Sequence, residues 1–160
     1  MKSVTPFQVN ETLPLAKVAI QLDRNEDGFP PISIELLNAD QLSGDTFRIR
    51  NAPFFAPNIA YLDLVKARPS SVVGQFDLLE LVESSPFTCI SIILLGTTLD
   101  HFMMDLLRGM GCVIEYGEFG AYRVLAVAVP PAADYASLRA TLDELEVREL
   151  ISYSELCVAQ

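Results

Sequence analysis

The stretch TCISIILLGTTLDHFMMDLLRGMGCVIEYGEFGAYRVLAVAVPPAADYASLRATLDELEVRELISYSELCV, residues 88–158, decides the fold. Residues 88–95 form an apolar run of strand length that stops at Gly96. From there the period changes. Leu99, Phe102, Met103, Leu106, Leu107 and Met110 follow the i, i+3, i+4, i+7 pattern of an amphipathic helix. Thr97 or Thr98 is placed to cap it, Asp100 sits in its first turn, and Gly109 and Gly111 end it. Residues 112–116 and 122–129 read as a hairpin around residues 117–120, stopped by Pro130-Pro131. Asp134 then caps a second helix reaching about Val147, with Tyr135, Leu138, Leu142 and Leu145 facing inward. Residues 151–158 close the sheet. Strand, helix, strand, strand, helix, strand is the ferredoxin-like βαββαβ order, a scaffold that by itself names no function.

Upstream the pattern differs. Short strand-like runs at residues 15–22, 32–39, 46–51, 62–67 and 75–83 are separated by turn chemistry. Five short strands with such turns suit a small, strongly bent barrel. The proline-bracketed loop APFFAPN, residues 52–58, carries Phe54 and Phe55 as a plug for one barrel end. The expected fold class is therefore α+β: a small bent β-barrel-like N-terminal half packed with a C-terminal ferredoxin-like half. Residues 1–14 read as a flexible arm, 15–85 as the barrel-like domain and 86–160 as the ferredoxin-like domain, with the boundary at Ser84-Ser85-Pro86.

Composition bounds the chemistry. The chain has 160 residues, 51% of them hydrophobic, with mean hydropathy +0.32 and a formal net charge of −10. Residues 1–85 hold 7 Lys and Arg against 11 Asp and Glu; residues 86–160 hold 4 Arg against 10 Asp and Glu. Such a surface repels phosphate backbones and anionic membranes and attracts a basic protein partner. No apolar run reaches the roughly 20 residues of a membrane span. The N-terminal residues lack the apolar core of a secretory signal, which points to the cytoplasm. Three cysteines, Cys89, Cys112 and Cys157, are odd in number, far apart and set in strand-like segments. They read as buried reduced thiols, with no cofactor implied.

Three strings carry a resemblance: Glu35 with Leu37-Asn38-Ala39, then GDTFRIRNAPFFA at residues 44–56, then Asp63-Leu64-Val65. A D-G-aromatic-P-P turn, residues 27–31, precedes the glutamate, and Gly111-Cys112 and Val129-Pro130 fit later positions. From about Ala16 onward the chain resembles a family of short bacterial proteins known as a domain of unknown function, number 4265. The resemblance implies no activity. It departs at Leu37, where a larger aromatic is expected.

Few residues have the makings of a reactive site. Asp23-Arg24-Asn25-Glu26-Asp27-Gly28 fits the opening of a calcium loop, but its twelfth position is Ile34 and prolines follow, so an acidic hairpin turn is the plainer reading. His101 can pair with Asp105 on one helix face, and Cys89 lies on the preceding strand, so a Cys-His pair is one option beside a surface histidine and a core thiol. Arg48 and Arg50 either pair with Glu35 or Asp45 or hold an anion. Carboxylates, by contrast, are plentiful. The functional expectation is a non-catalytic acidic protein-binding module, most concretely an immunity protein that neutralises a bacterial toxin. Its partner-binding residues are Glu115, Tyr116, Glu118, Tyr122, Asp134, Asp143, Glu144 and Glu146. The alternative is a ligand-sensing regulator that dimerises through edge strands at residues 122–129 and 151–158. An enzyme is the weakest reading, because no nucleophile, base and orienting group occur together.

Overall fold

The computed structural model describes residues 15–159; the arm expected at residues 1–14 lies outside them. Five strands, β1 (Ala16–Gln21), β2 (Ile34–Ser43), β3 (Thr46–Ile49), β4 (Leu64–Pro69) and β5 (Gln75–Glu83), close into a barrel in chain order. Neighbours are antiparallel except for the closing pair β1–β5, which is parallel. The alternation seen in the sequence sets which side chains enter. Val18, Ile20, Leu37, Ala39, Phe47, Ile49, Val65 and Ala67 fill the interior, and Phe55 joins them from the loop after β3. Leu37, where the family pattern suggests an aromatic, is 1% exposed inside this core.

The second half forms a four-stranded antiparallel sheet in the order β7-β8-β6-β9. Its elements are β6 (Thr88–Leu94), α1 (Asp100–Gly109), β7 (Val113–Phe119), β8 (Tyr122–Val129), α2 (Tyr135–Val147) and β9 (Ile151–Cys157). The central strands are buried on both faces, which is why they read as unbroken apolar runs. Ile90, Ile92, Leu125, Val127 and Val129 pack against Met103 and Leu107 of α1 and Leu138, Leu142 and Leu145 of α2. On the opposite face Cys89, Ala126 and Ala128 meet Ala52 and Ala60 of the barrel's loop. The small residues let that loop lie close to the sheet.

Local details correct the sequence reading in three places. Helix α1 starts without a side-chain cap from Thr97 or Thr98: its N-cap is Leu99, and the Asp100 N–H reaches the Thr97 carbonyl instead. The hairpin turns at Gly120, with Phe119 paired to Tyr122, so Gly117 lies inside β7. β8, expected as a dimer edge, is interior, flanked by β6 and β7. No helix among the described residues is long and apolar enough to cross a membrane.

Candidate functional site at the junction of barrel and sheet

The loop between β3 and β4, residues 50–63, is the joint between the two halves, and three polar side chains fix it. Glu35, on β2 and 4% exposed, accepts the N–H groups of Phe54 at 2.6 Å, Phe55 at 3.0 Å and Ala56 at 2.9 Å. Asn51 accepts the Asn38 N–H through Oδ1 and donates through Nδ2 to Glu115 on β7. Asp63, 1% exposed, accepts from the N–H of Ala60 at 2.8 Å and of Ser85 at 2.7 Å. Burial pushes its carboxyl pKa up from the ordinary value of 3.8, against the pull of those N–H bonds. Ser85 also donates from Oγ to the Tyr61 carbonyl. Loop backbone in a buried place needs such acceptors, since a lost bond there costs about 1–3 kcal/mol. Glu35, Asn51 and Asp63 belong to the strings that carry the family resemblance, and their polar atoms are engaged in bracing the fold.

The loop aims aromatic rings at the sheet. Phe29, from the turn between β1 and β2, meets Phe55 at 5.6 Å and Tyr122 at 5.5 Å between ring centroids. Phe119 lies 5.0 Å from both Phe54 and Phe55, edge to face. Gly117 makes this possible: a Cβ there would stand 2.8 Å from the Phe119 ring and 2.9 Å from that of Phe54. Beneath the rings a cavity of about 60 Å³, partly open to solvent, is walled by Phe29, Pro30, Phe54 and Phe55. Its floor is Ser91 and Ile93 of β6 and Ser152, Ser154 and Leu156 of β9. Ser91 is directly paired with Ser154, and Ile93 with Ser152. Nothing in the sequence flagged these serines, which only the register of β6 and β9 brings together.

The eight residues expected to bind a partner divide into two groups. Glu115, Tyr116 and Glu118 lie on β7, and Tyr122 opens β8. Asp134, Asp143, Glu144 and Glu146 lie at the start of and along α2, which packs on β9 at the other edge, three strand spacings or about 14 Å away. Most are engaged within the chain. Glu115 holds Asn51, Tyr116 donates to Glu118, and Tyr122 packs on Phe29. Asp134 caps α2 by accepting from Ser137, which draws its carboxyl pKa down. Asp143 accepts the Tyr153 hydroxyl, and Glu146 accepts the Tyr153 N–H of the edge strand β9. Glu144 makes no hydrogen bond or ion pair to a described side chain and is exposed.

The other candidates also find their places. Cys89 faces the barrel side of the sheet, while α1, which carries His101, packs on the other side, so the sheet separates the two. Burial pushes the Cys89 thiol up to about 12 and Cys112 to about 11. In the acidic turn, Asn25 Oδ1 accepts from the Asp27 and Phe29 N–H groups, and Arg24 donates to the carbonyls of Gly28 and Pro30. The turn is closed by its own amide and guanidinium. Neither arginine of β3 and its following loop pairs as expected: Arg50 meets Asp40 at 3.6 Å, and Arg48 donates to the Leu62 carbonyl, because Glu35 points inward.

Comparison with known proteins agrees with this picture of the fold. Residues 35–153 match a family described as a domain of unknown function (DUF4265). A solved structure titled as a novel crystal structure of a hypothetical protein from Neisseria gonorrhoeae superposes with a TM-score of 0.76 at 22% identity, covering 92% of this chain and 98% of that one. No curated protein matches the chain.

Proposed function

We propose, for a chain that belongs to the family described as a domain of unknown function (DUF4265), that it acts without catalysis, as an acidic module that covers a basic protein, most concretely an immunity protein against a toxin. One observation supports this reading above others: the negative surface is largely uncompensated. Of the 20 Asp and Glu among the described residues, Glu35 and Asp63 are buried, and of the other 18 only Asp40, Asp100 and Glu155 form ion pairs with described residues. Uncompensated charge of one sign raises the rate at which an oppositely charged protein docks. The strand order β7-β8-β6-β9 with a helix after β6 and after β8 supports the ferredoxin-like reading of the second half.

Two single variants test the proposal because they change net charge equally. Glu144→Lys alters α2, and Glu80→Lys alters the exposed side of β5. Each purified variant serves as bait in native lysate at low and high salt. A specific partner released by salt and weakened by Glu144→Lys but not by Glu80→Lys is the expected result. Equal retention by both variants and at both salt levels sinks it. A second reading, a ligand-sensing regulator, is favoured by one observation, the partly open cavity beneath Phe54 and Phe55. An edge-to-edge dimer in that reading has to use β9 or β7, not β8.

A further inference from the structure

We infer that the outer edge of β7 is a self-association site: a second copy of this chain docks there, β7 against β7 about a two-fold axis, and the two sheets become one. The inference deepens the edge-to-edge dimer of the ligand-sensing reading, on which it rests, by fixing the strand and the register.

The sheet has two outer edges, and the chain treats them differently. At β9 other parts of the molecule close the edge. Glu146 of α2 accepts the Tyr153 N–H, the Asn58 N–H reaches the Leu156 carbonyl, and a bulge at Leu156 interrupts the strand. β7 has none of these devices among the described residues. Its residues pair with β8 in unbroken register, it holds no proline, and no residue along it is fully buried. The two-residue turn at Gly120 and Ala121 makes Phe119 and Tyr122 exchange both backbone bonds. Alternation then turns the N–H and C=O of Ile114, Tyr116 and Glu118 away from β8. No described group bonds them. Such a row is a template for another strand. The far half of β5, free beyond Asp77, is a poorer one, because two register shifts interrupt it.

The strand is complementary to itself. About a two-fold centred on Tyr116, Ile114 meets the partner's Glu118, Tyr116 meets the partner's Tyr116, and Glu118 meets the partner's Ile114. Every outward residue is then paired. Glu115 comes opposite the partner's Gly117, so no carboxylate directly faces another. Centring the pair on Glu115 or on Glu118 sets two carboxylates face to face, which is unfavourable. At the axis the two half-exposed Tyr116 rings gain contact. A seam about 24 Å long buries less than the roughly 1,600 Å² of a standard interface, and the net charge of −10 on each copy opposes it. The dimer is therefore weak, with a Kd of about 0.1 mM, and stronger where salt screens the repulsion.

Sedimentation equilibrium of the full chain tests this at about 20 and 500 μM protein and about 0.05 and 0.5 M sodium chloride. The dimer fraction should rise with both. By NMR, the amides of Ile114, Tyr116 and Glu118 should exchange about threefold more slowly at the higher protein concentration, as mass action requires. Tyr116→Pro removes an outward N–H that β8 does not use, so it should fold and stay monomeric. If it does not fold, the register decides. Tyr116→Cys should form a disulfide dimer with oxidised glutathione, since its Cα atoms lie about 5.5 Å apart across the axis. Glu118→Cys and the parent, with its own cysteines, should not. The inference falls if the chain stays monomeric at the highest protein and salt, or if salt dissociates the dimer. It falls equally if a folded Tyr116→Pro dimerises as the parent does, if the three amides are protected alike at both concentrations, or if both cysteine variants cross-link alike. A dimer that answers to no metabolite ends the sensing reading and keeps the interface, and salt acts on this contact with the opposite sign from a basic partner, so the readings fail separately.

Discussion

Glu35 offers the sharpest test of how the junction is held. Replacing it with alanine removes the acceptor of three loop N–H groups, two of them, Phe55 and Ala56, in buried bonds. Each buried donor left without a partner costs about 1–3 kcal/mol, and the half-buried Phe54 N–H less, since water reaches it. An opposing effect exists: deleting a buried charge also removes its desolvation cost. With three N–H bonds lost, the donors win, and we expect Glu35→Ala to lower stability by about 3–5 kcal/mol, a large part of the 5–15 kcal/mol typical of native proteins. Glu35→Gln keeps one carbonyl, which can stay with Phe55 and Ala56 as Oε1 does, and strands only Phe54; its expected cost is about 1–2 kcal/mol. Urea unfolding followed by far-UV circular dichroism gives both values from the midpoint and slope, with the exposed Glu80→Ala as a control expected within about 0.5 kcal/mol of the parent. If Glu35→Ala unfolds within about 1 kcal/mol of the parent, or if glutamine costs as much as alanine, the carboxylate does not brace the loop as described.

Gly117→Ala should destabilise by about 1–2 kcal/mol through overpacking against Phe54 and Phe119, and a double-mutant cycle with Phe54→Leu should show the two changes costing less together than their sum. Asp63 should give an inverted pH dependence. Its folded pKa is raised above 3.8, so between the two values the native state holds more protons than the unfolded chain, and stability falls as pH rises through the folded value. The unfolding midpoint of the parent minus that of Asp63→Asn should fall across that window and be flat above it; a value that rises with pH there would contradict the shift. At pH 8 a thiol with a pKa of about 12 is ionised in roughly one molecule in ten thousand, so iodoacetamide followed by mass spectrometry should leave Cys89 unlabelled until urea unfolds the chain. Rapid labelling of Cys89 in the folded protein would mean that its site opens far more often than its burial indicates.

Periodicity made the strands and helices legible because each has one face in a core. The patterns place β5 at Gln75–Glu83 and β8 at Tyr122–Val129, and the position before an apolar face places the Asp134 cap, where the structure has them. Edges and partners were less legible. The role of β8 as an interior strand depends on β6 inserting between it and β9, a long-range pairing with no local signature. Glu35 looked like a mate for Arg48 or Arg50 because alternation alone does not reveal that the loop it holds folds back over the barrel mouth. Gly117 looked like a turn residue, whereas the rings of Phe54 and Phe119 determine its use. The cavity was invisible for the same reason: its walls come from four segments, and its serines were unremarkable in the sequence.

Five strands joined by antiparallel hairpins cannot close on themselves without one mismatch in direction, and here it falls between β1 and β5. That seam pairs only Lys17 with Gln75, Val18 with Phe76 and Ala19 with Asp77, as few as the three pairs between β3 and β4 and half the six between β1 and β2. The cylinder therefore has two thin lines in its wall, and only the first of them is parallel. Amide protons along both should exchange with solvent sooner than those between β1 and β2, and thermal opening of the barrel should begin at one of them rather than in the long hairpin.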